Sequence, residues 1–380
     1  MAGILNKMND DQVISLVTCS YSRAVLIRSR LETEGIPSFI TNVNMLQPDI
    51  GSGVQVWIRS DDFAAANRIL EETLQISGVQ KEPLLRRLRS FRRILVPVDF
   101  SECSETACMY AIGIAHRLNA SIRLVNAYYN PVVGSDPVVE GGSFSLHLEN
   151  IIQELREEVH RKILELRKKL RSKAEEEFGK APSIGVELDR GTPEQVILSQ
   201  LESYRPGLMV MGTRGENNTS GPLLGSVTRR VIQNAGVPVL AVPEKAVYWG
   251  MKYIKRLLYA TNFDANDLFI IRQLIALTRP FNMSVHCVHI ETSLEDRLDQ
   301  ERMILLRNQI MQENEGLQLT CSILLHQDVV QGLQEYIEKN DIDIVALTTH
   351  KRNIIERFFN PGITKKMLFH SHIPLLVFQS

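Results

Sequence analysis

The apolar positions of this chain change period several times, and the changes mark its parts. In the opening segment QVISLVT alternates as a strand does, and SRAVLIRSRLETEG has the three-and-four spacing of an amphipathic helix that Gly35 would end. IPSFITN and GVQVWIRS read as two further strands around a loop rich in Asn, Pro and Gly. Ser60 and Asp61 then offer an N-cap to DDFAAANRILEETL. A compact β-α-β-β-α unit is expected over residues 1–78. A basic stretch follows over 79–90, where Arg86, Arg87 and Arg89 run on to Arg92 and Arg93. These arginines could touch phosphates. A solvated linker helix that docks through Leu84, Leu85 and Leu88 explains the same residues.

From Phe91 the pattern becomes strand, helix, strand, helix. ILVPVDF, SIRLVNAY, SIGVELD, GLMVMG and VPVLAV are short, nearly continuous apolar runs, as expected of strands buried on both faces. SECSETACMYAIGIAHRLNA, PEQVILSQLESY and GSVTRRVIQNA read as helices between them. A Pro/Gly/Ser-rich loop through Ser145 leads to a long helix with Ile152, Leu155, Val159, Ile163, Leu166, Leu170 and Phe178 on one stripe. That stripe suits a coiled coil, but packing against a sheet explains it at this length. The order then repeats from Lys252. IKRLLYATNFD parallels FRRILVPVDFS, MSVHCVHIE parallels ASIRLVNAY, DIDIVALTTH parallels PGLMVMGTR, and SHIPLLVFQS parallels AGVPVLAVPE. Met211–Val242 aligns with Leu347–Phe378 without a gap, so a duplicated α/β domain is expected, over 91–244 and 251–380.

Composition narrows the function classes. A chain of 380 residues with 44% hydrophobic and 23% charged residues is that of a globular protein of two or three domains. A formal net charge of −1 gives no global pull toward nucleic acid or membrane. Five cysteines (Cys19, Cys103, Cys108, Cys287, Cys321) form no CxxC pair, and their odd number speaks for a reducing compartment. The opening MAGILNKMNDDQ lacks the apolar core of a signal peptide, and no run approaches the roughly twenty apolar residues of a membrane helix. A cytoplasmic protein is expected. No nucleophile elbow, HExxH pattern or paired catalytic carboxylates are visible. His286 and His289 fall on opposite faces of one strand and make a poor metal pair. His370 and His372 read as surface residues. Cys103, near a helix start, is either a stabilised thiolate or an inert small residue.

The most informative stretch is MGTRGENNTSGPLLGSVTRR, Met211 to Arg230. It leaves the end of a predicted strand at Gly212, and in open α/β sheets ligands sit at that end. Gly215 and Gly225 would let the backbone turn and approach a ligand where a Cβ would clash. Gly225 and Ser226 open a helix whose first N–H groups are unpaired and suit a phosphate. Ser226 and Thr228 add hydroxyls, and Arg214 either reaches a phosphate or folds away. This is neither a Walker A loop nor GxGxxG. Taken alone, a purely structural βα loop explains it equally well.

With ILVPVDFS before it and VPVLAVP after it, Gly212-x2-Gly215-x9-Gly225-Ser226 resembles the nucleotide-binding signature of the universal stress protein family. The resemblance covers Phe91 to Glu244 closely and Lys252 to Ser380 more loosely. It implies two tandem doubly wound five-stranded parallel sheets of order 3-2-1-4-5, plus the small N-terminal α+β domain. It also implies ATP or a related adenine nucleotide with Mg²⁺, whose protein ligands it does not assign. Pro97, Val98 and Asp99 would meet adenine and ribose together with Ala127. Met211, Gly212, Arg214, Gly215, Gly225, Ser226, Val227 and Thr228 would hold ribose and phosphates. Asp99 could instead cap the following helix, although Ser101 is better placed for that.

The second copy departs from the signature. Asn262 replaces Asp99, Thr348 replaces Gly212, Lys351 replaces Gly215, and Pro361-Gly362 replaces Gly225-Ser226, so a proline removes an N–H. That copy is expected to act as a pairing partner through VPVLAV and IPLLVF, with Lys351, Arg352, Lys365 and Lys366 as solvated surface or a site for some other anion. The N-terminal segment resembles a small family of proposed signal-transducing proteins, through a helix, E-G-I-P, a strand and a V-x-V strand. It is expected to bind a protein partner or a second copy. The resulting expectation is a nucleotide-binding stress or signalling regulator, in which nucleotide orders Asn217 to Leu224. A slow ATP hydrolase at the same site and a scaffold without nucleotide affinity stand as alternatives.

Overall fold

The computed structural model describes residues 13–19, 21–41, 54–59, 62–63, 65–66, 68–70, 91–128, 142–215, 225–264, 266–292, 298–314, 316–348 and 372–379. The cap at Ser60 and Asp61, the basic stretch 79–90, the loop Asn217–Leu224, and Lys351 to His370 lie outside these residues. The chain divides into two compact bodies, residues 1–86 with 261–270 and residues 87–260 with 271–380.

In the first body β1 (Val13–Cys19), β2 (Ser38–Thr41) and β3 (Val54–Arg59) form an antiparallel sheet of order β1-β3-β2. The central strand β3 buries Val54, Val56 and Ile58 and turns Arg59 outward, the period-two pattern of a sheet covered on one face. Helix α1 (Tyr21–Thr33) contributes Ala24, Ile27 and Leu31 to that core, with Phe63, Ala66, Ile69 and Leu70 beside them. Gly35 ends the α1 turn at φ 78°, in the left-handed region, and Ile36 N–H donates to the Leu31 carbonyl at 2.9 Å.

The second body is built on one ten-stranded sheet. Its first half contains β4 (Arg93–Pro97), β5 (Ser121–Tyr128), β6 (Ile184–Arg190), β7 (Leu208–Gly212) and β8 (Val239–Val242). The second half contains β9 (Arg256–Ala260), β10 (Ser284–Glu291), β11 (Leu319–Leu325), β12 (Ile344–Thr348) and β13 (Leu375–Phe378). The order β11-β10-β9-β12-β13-β8-β7-β4-β5-β6 gives each half the expected 3-2-1-4-5, parallel throughout. The final strands join the halves in antiparallel register, with Leu375 opposite Ala241, Leu376 opposite Leu240 and Val377 opposite Val239. Both strands of this seam are wholly buried. The outer strands β6 and β11 share one half-exposed pattern with no fully buried residue.

Helices α2 (Glu102–Leu118), α3 (Gly142–Phe178), α4 (Pro193–Tyr204), α5 (Ser226–Asn234), α6 (Asp267–Thr278), α7 (Leu298–Glu313) and α8 (Val329–Lys339) connect the strands. Helix α3 begins inside the stretch expected to be loop. Of its stripe Ile163, Leu166 and Leu170 are buried, as is Ala174, and the helix packs against α2, β5 and β6 as a sheet-covering helix does. The duplication shows in the backbone as well as in the pattern. All six described non-glycine residues in the left-handed region fall into corresponding pairs, Phe100 with Phe263, Asn119 with Asn282 and Arg205 with Asp341.

Candidate functional site

The carboxyl ends of β4, β5 and β7 bring together the residues singled out in the first copy. Strand β4 lies between β5 and β7, and its register places Pro97 beside Val125. Val98 is buried, and both of its backbone polar groups are engaged. Its N–H donates to the Val125 carbonyl at 2.8 Å, and its carbonyl accepts from Asn126 Nδ2 at 2.7 Å. Asn126 is itself buried and escaped the sequence reading. A polar residue inside the apolar run IRLVNAY was the available signal. Ala127, next along β5, is half-buried against the core.

Phe100 adopts φ 68° and turns the chain from β4 into α2. Ser101 is the N-cap of α2, its hydroxyl accepting from Ser104 N–H at 3.2 Å. Asp99 sits behind this cap, where its Oδ1 accepts from the Ser101 hydroxyl at 2.6 Å and from the Ser101 N–H at 3.1 Å. The other carboxylate oxygen points at Gly215, where an added Cβ would stand 2.5 Å from Oδ2. The turn after β4 and the start of the glycine loop therefore meet at one carboxylate.

The glycines are needed for space. None of Gly212, Gly215 and Gly225 is among the residues with positive φ, so the turn freedom expected of Gly215 and Gly225 is not what selects glycine here. A Cβ on Gly212 would lie 2.8 Å from Cys103 Sγ and 3.2 Å from the Cys103 carbonyl carbon, so this glycine admits the first turn of α2. A Cβ on Gly225 would lie 3.3 Å from the Thr213 carbonyl, which already accepts the Gly225 N–H at 2.7 Å. Met211 is buried in the core, and Thr213, also buried, donates its N–H to Val242.

Gly225 is the N-cap of α5, with φ −59° and ψ 153°, and it offers no side-chain cap. Gly225 thus supplies no capping side chain to the leading N–H groups of Ser226, Val227 and Thr228. Ser226 is exposed and Val227 rests partly on the core. The Thr228 hydroxyl, expected as a ligand donor, instead donates to the Gly212 carbonyl at 3.0 Å from a buried position. That bond ties the first turn of α5 to the end of β7. Arg214 pairs with Glu244, Nη1 to Oε2 at 2.8 Å. Cys103 is buried and its Sγ lies 3.4 Å from the Val242 carbonyl. Burial pushes its thiol up, against backbone contacts at Arg214 and Thr213, a direction opposite to that of a stabilised thiolate.

The corresponding turn of the second copy is closed on itself. Asp267, at the head of α6, is buried and accepts from the Thr261 hydroxyl and from the N–H groups of Asn262 and Asp264, both at 3.2 Å. Phe263 N–H donates to Thr261 Oγ1 at 3.0 Å. A carboxylate of the chain thus holds the N–H groups of this turn. His286 and His289 face opposite sides of β10, toward Tyr336 at 3.0 Å and Asp299 at 2.9 Å. Among the described residues no group of three His, Cys, Asp or Glu side chains can hold a metal ion, and no helix is long and apolar enough to cross a membrane.

A family model described as "Universal stress protein family" matches residues 90–243 and again 254–379. The chain belongs to that family. Residues 16–73 match a second model, described as "Putative prokaryotic signal transducing protein". Universal stress protein MJ0531 of Methanocaldococcus jannaschii is 35% identical over 153 residues, which cover 40% of this chain and 82% of that protein. Universal stress protein YxiE of Bacillus subtilis is 30% identical over 155 residues, covering 40% and 99%. A universal stress protein from Archaeoglobus fulgidus superimposes on 76% of this chain and 98% of its own, with a TM-score of 0.52 at 15% identity, a likeness of fold. The two universal stress protein copies are therefore a tandem pair on one sheet, and only the first keeps the glycine spacing.

Proposed function

We propose that the first universal stress protein copy binds an adenine nucleotide, ATP with Mg²⁺, and that the chain is a nucleotide-responsive regulator in the cytoplasm. The observation that carries this reading is the uncapped start of α5 at Gly225, tied by Thr228 to the end of β7 and set at the carboxyl edge of the sheet. Phosphates would accept from the N–H groups of Ser226, Val227 and Thr228. Asp99 and the backbone of Gly215 would face the sugar, while Pro97, Val98 and Ala127 would border the base. Met211, Gly212 and Thr213 hold the strand end on which this is built. Mg²⁺ would ride on the phosphates and its own waters, its usual mode with nucleotides. Arg214, which pairs with Glu244 through Nη1, either reaches a phosphate or stays with that partner.

Cysteine usage supports the cytoplasmic reading. The second copy takes the part of pairing partner: its β13 completes the sheet, and Asp267 holds the turn that would border a base. The N-terminal body is proposed to carry the contact with a protein partner.

Thermal unfolding of the full chain with and without ATP and Mg²⁺ tests the reading. Ligand at about a hundredfold over its dissociation constant adds ~2.7 kcal/mol to the unit that binds it. A rise in the transition of the second body supports the site. No rise with ATP, ADP or AMP overturns it in favour of a scaffold.

A further inference from the structure

Two cysteines have no part in the site above. Cys287 on β10 and Cys321 on β11 are register partners in a parallel pair, so their side chains leave the same face of the sheet. Both are present as thiols. Neighbouring strands run about 4.8 Å apart, within the Cα separation of roughly 4.4–6.8 Å that a disulfide spans. Cys287 is fully buried, whereas Cys321 is half-buried on the outermost strand of its half. Helix α7 covers this face: two residues beyond Cys287, His289 bonds Asp299 of α7, and the same helix packs against β11. The thiols touch. A hydrogen bond from Cys287 holds the Cys321 thiol below its ordinary value against the effect of burial, and the charge of Arg307 on α7 acts in the same direction. Cys103 and Cys108 are the opposite case, since burial pushes both thiols up.

We propose that Cys287 and Cys321 form an oxidation site, a dithiol that a hydroperoxide closes to a reversible disulfide. The Cys321 thiolate attacks the peroxide oxygen, the O–O bond breaks, and Cys321 becomes a sulfenic acid while the leaving oxygen takes a proton. Cys287 then gives up its proton and attacks the Cys321 sulfur, so the S–S bond forms and the S–O bond breaks with loss of water. Two thiols have lost two electrons and two protons, and hydrogen peroxide has taken both to become two waters. A dithiol reductant returns them. In-register strand neighbours hold their Cβ atoms wider than the roughly 3.8 Å that a relaxed disulfide prefers, which makes such a bridge easy to reduce. The site is therefore a switch at the edge of the sheet, placed in the copy that lacks the glycine spacing. It does not rest on the nucleotide reading.

The test uses the full chain, reduced, freed of reductant and treated with hydrogen peroxide. Expected are the loss of two thiols per chain, a non-reduced peptide linking residues 287 and 321 by mass spectrometry, and recovery of both thiols with dithiothreitol. Cys321→Ser, on the half-exposed edge, should abolish the link and leave Cys287 reduced. Cys287→Ala should leave a Cys321 sulfenic acid that dimedone traps. Oxidation of Cys321 to sulfinic acid, or a bridge between chains, with Cys287 still a thiol would overturn the proposal. So would loss of Cys103 or Cys108 thiols ahead of Cys321.

Discussion

The Asp99 carboxylate lies directly over Gly215, so close that a Cβ on that residue would stand 2.5 Å from Oδ2. Gly215 is exposed, and the atom it would strike is the end of a side chain, so the carboxylate can swing aside. Gly215→Ala should therefore cost little stability, under about 1 kcal/mol, while turning Asp99 away from the position held by Ser101. Nucleotide affinity should fall with no matching drop in melting temperature. Titration calorimetry beside thermal melts checks this, and an unchanged affinity would remove Asp99 from the site.

Gly212 behaves differently, because its neighbours cannot move. Gly212→Ala drives a methyl group into Cys103 Sγ at 2.8 Å and into the Cys103 backbone at 3.2 and 3.3 Å. Overpacking of this kind costs about 1–3 kcal/mol. Combining it with Cys103→Ala should restore part of the loss, since the sulfur goes and the backbone stays. Urea midpoints of the four species give the coupling. Strict additivity would mean that the glycine is needed for something other than Cys103.

The start of α5 permits a clean separation of fold from ligand. Gly225 has the extended conformation that a residue before proline prefers, and Ser226 is the first helical position, where proline is tolerated. Ser226→Pro should leave the melting temperature of the ligand-free protein near that of the parent. It removes one N–H assigned to phosphate, and a bond to a charged acceptor is worth about 1.5–3 kcal/mol. Affinity for ATP should drop by roughly tenfold or more. Equal affinity in the variant would show that phosphate does not sit at this helix end.

Acid should weaken the second half through Asp299. Burial would raise this carboxyl, but the hydrogen bond and charge of His289, with Arg302 at 3.0 Å, outweigh it and hold it below the ordinary carboxylate range. A depressed folded pKa contributes stability that is complete above the unfolded value of about 3.9 and is lost as pH falls through the folded value. Asp299→Asn should lower stability at neutral pH, because Arg302 loses its buried partner, and should flatten the acid limb below about pH 4. Urea midpoints measured from pH 7 to pH 3 decide between this and a slope that the variant leaves intact.

The architecture was legible because its signals are local. Repeated apolar runs named the strands, and the gapless match of Met211–Val242 to Leu347–Phe378 implied the paired halves. The VPVLAV and IPLLVF segments marked the seam that Leu240 and Leu376 occupy. What escaped depends on residues distant in the chain. Nothing near Gly212 says that Cys103 will press on it, nor near Arg214 that Glu244 will hold it. Thr228 read as a ligand donor because its partner, the Gly212 carbonyl, is a backbone group that no pattern reveals. Asn126 was passed over because a single polar residue in a strand has many uses, and only the packed fold aims it at Val98. Asp267 is a similar case, an acidic residue at a helix start whose carboxylate turned out to hold three groups of the preceding turn.

The antiparallel joint between β8 and β13 has a consequence for how the molecule behaves in dilute solution. Two linked modules meet at an effective concentration on the order of millimolar, so the ten-stranded sheet forms as readily in a scarce protein as in an abundant one. Separate chains bearing these two edges would come apart on dilution and would exchange partners. Here each polypeptide brings its own complement, and every copy carries one intact glycine loop and one cysteine pair in a ratio that expression level cannot alter.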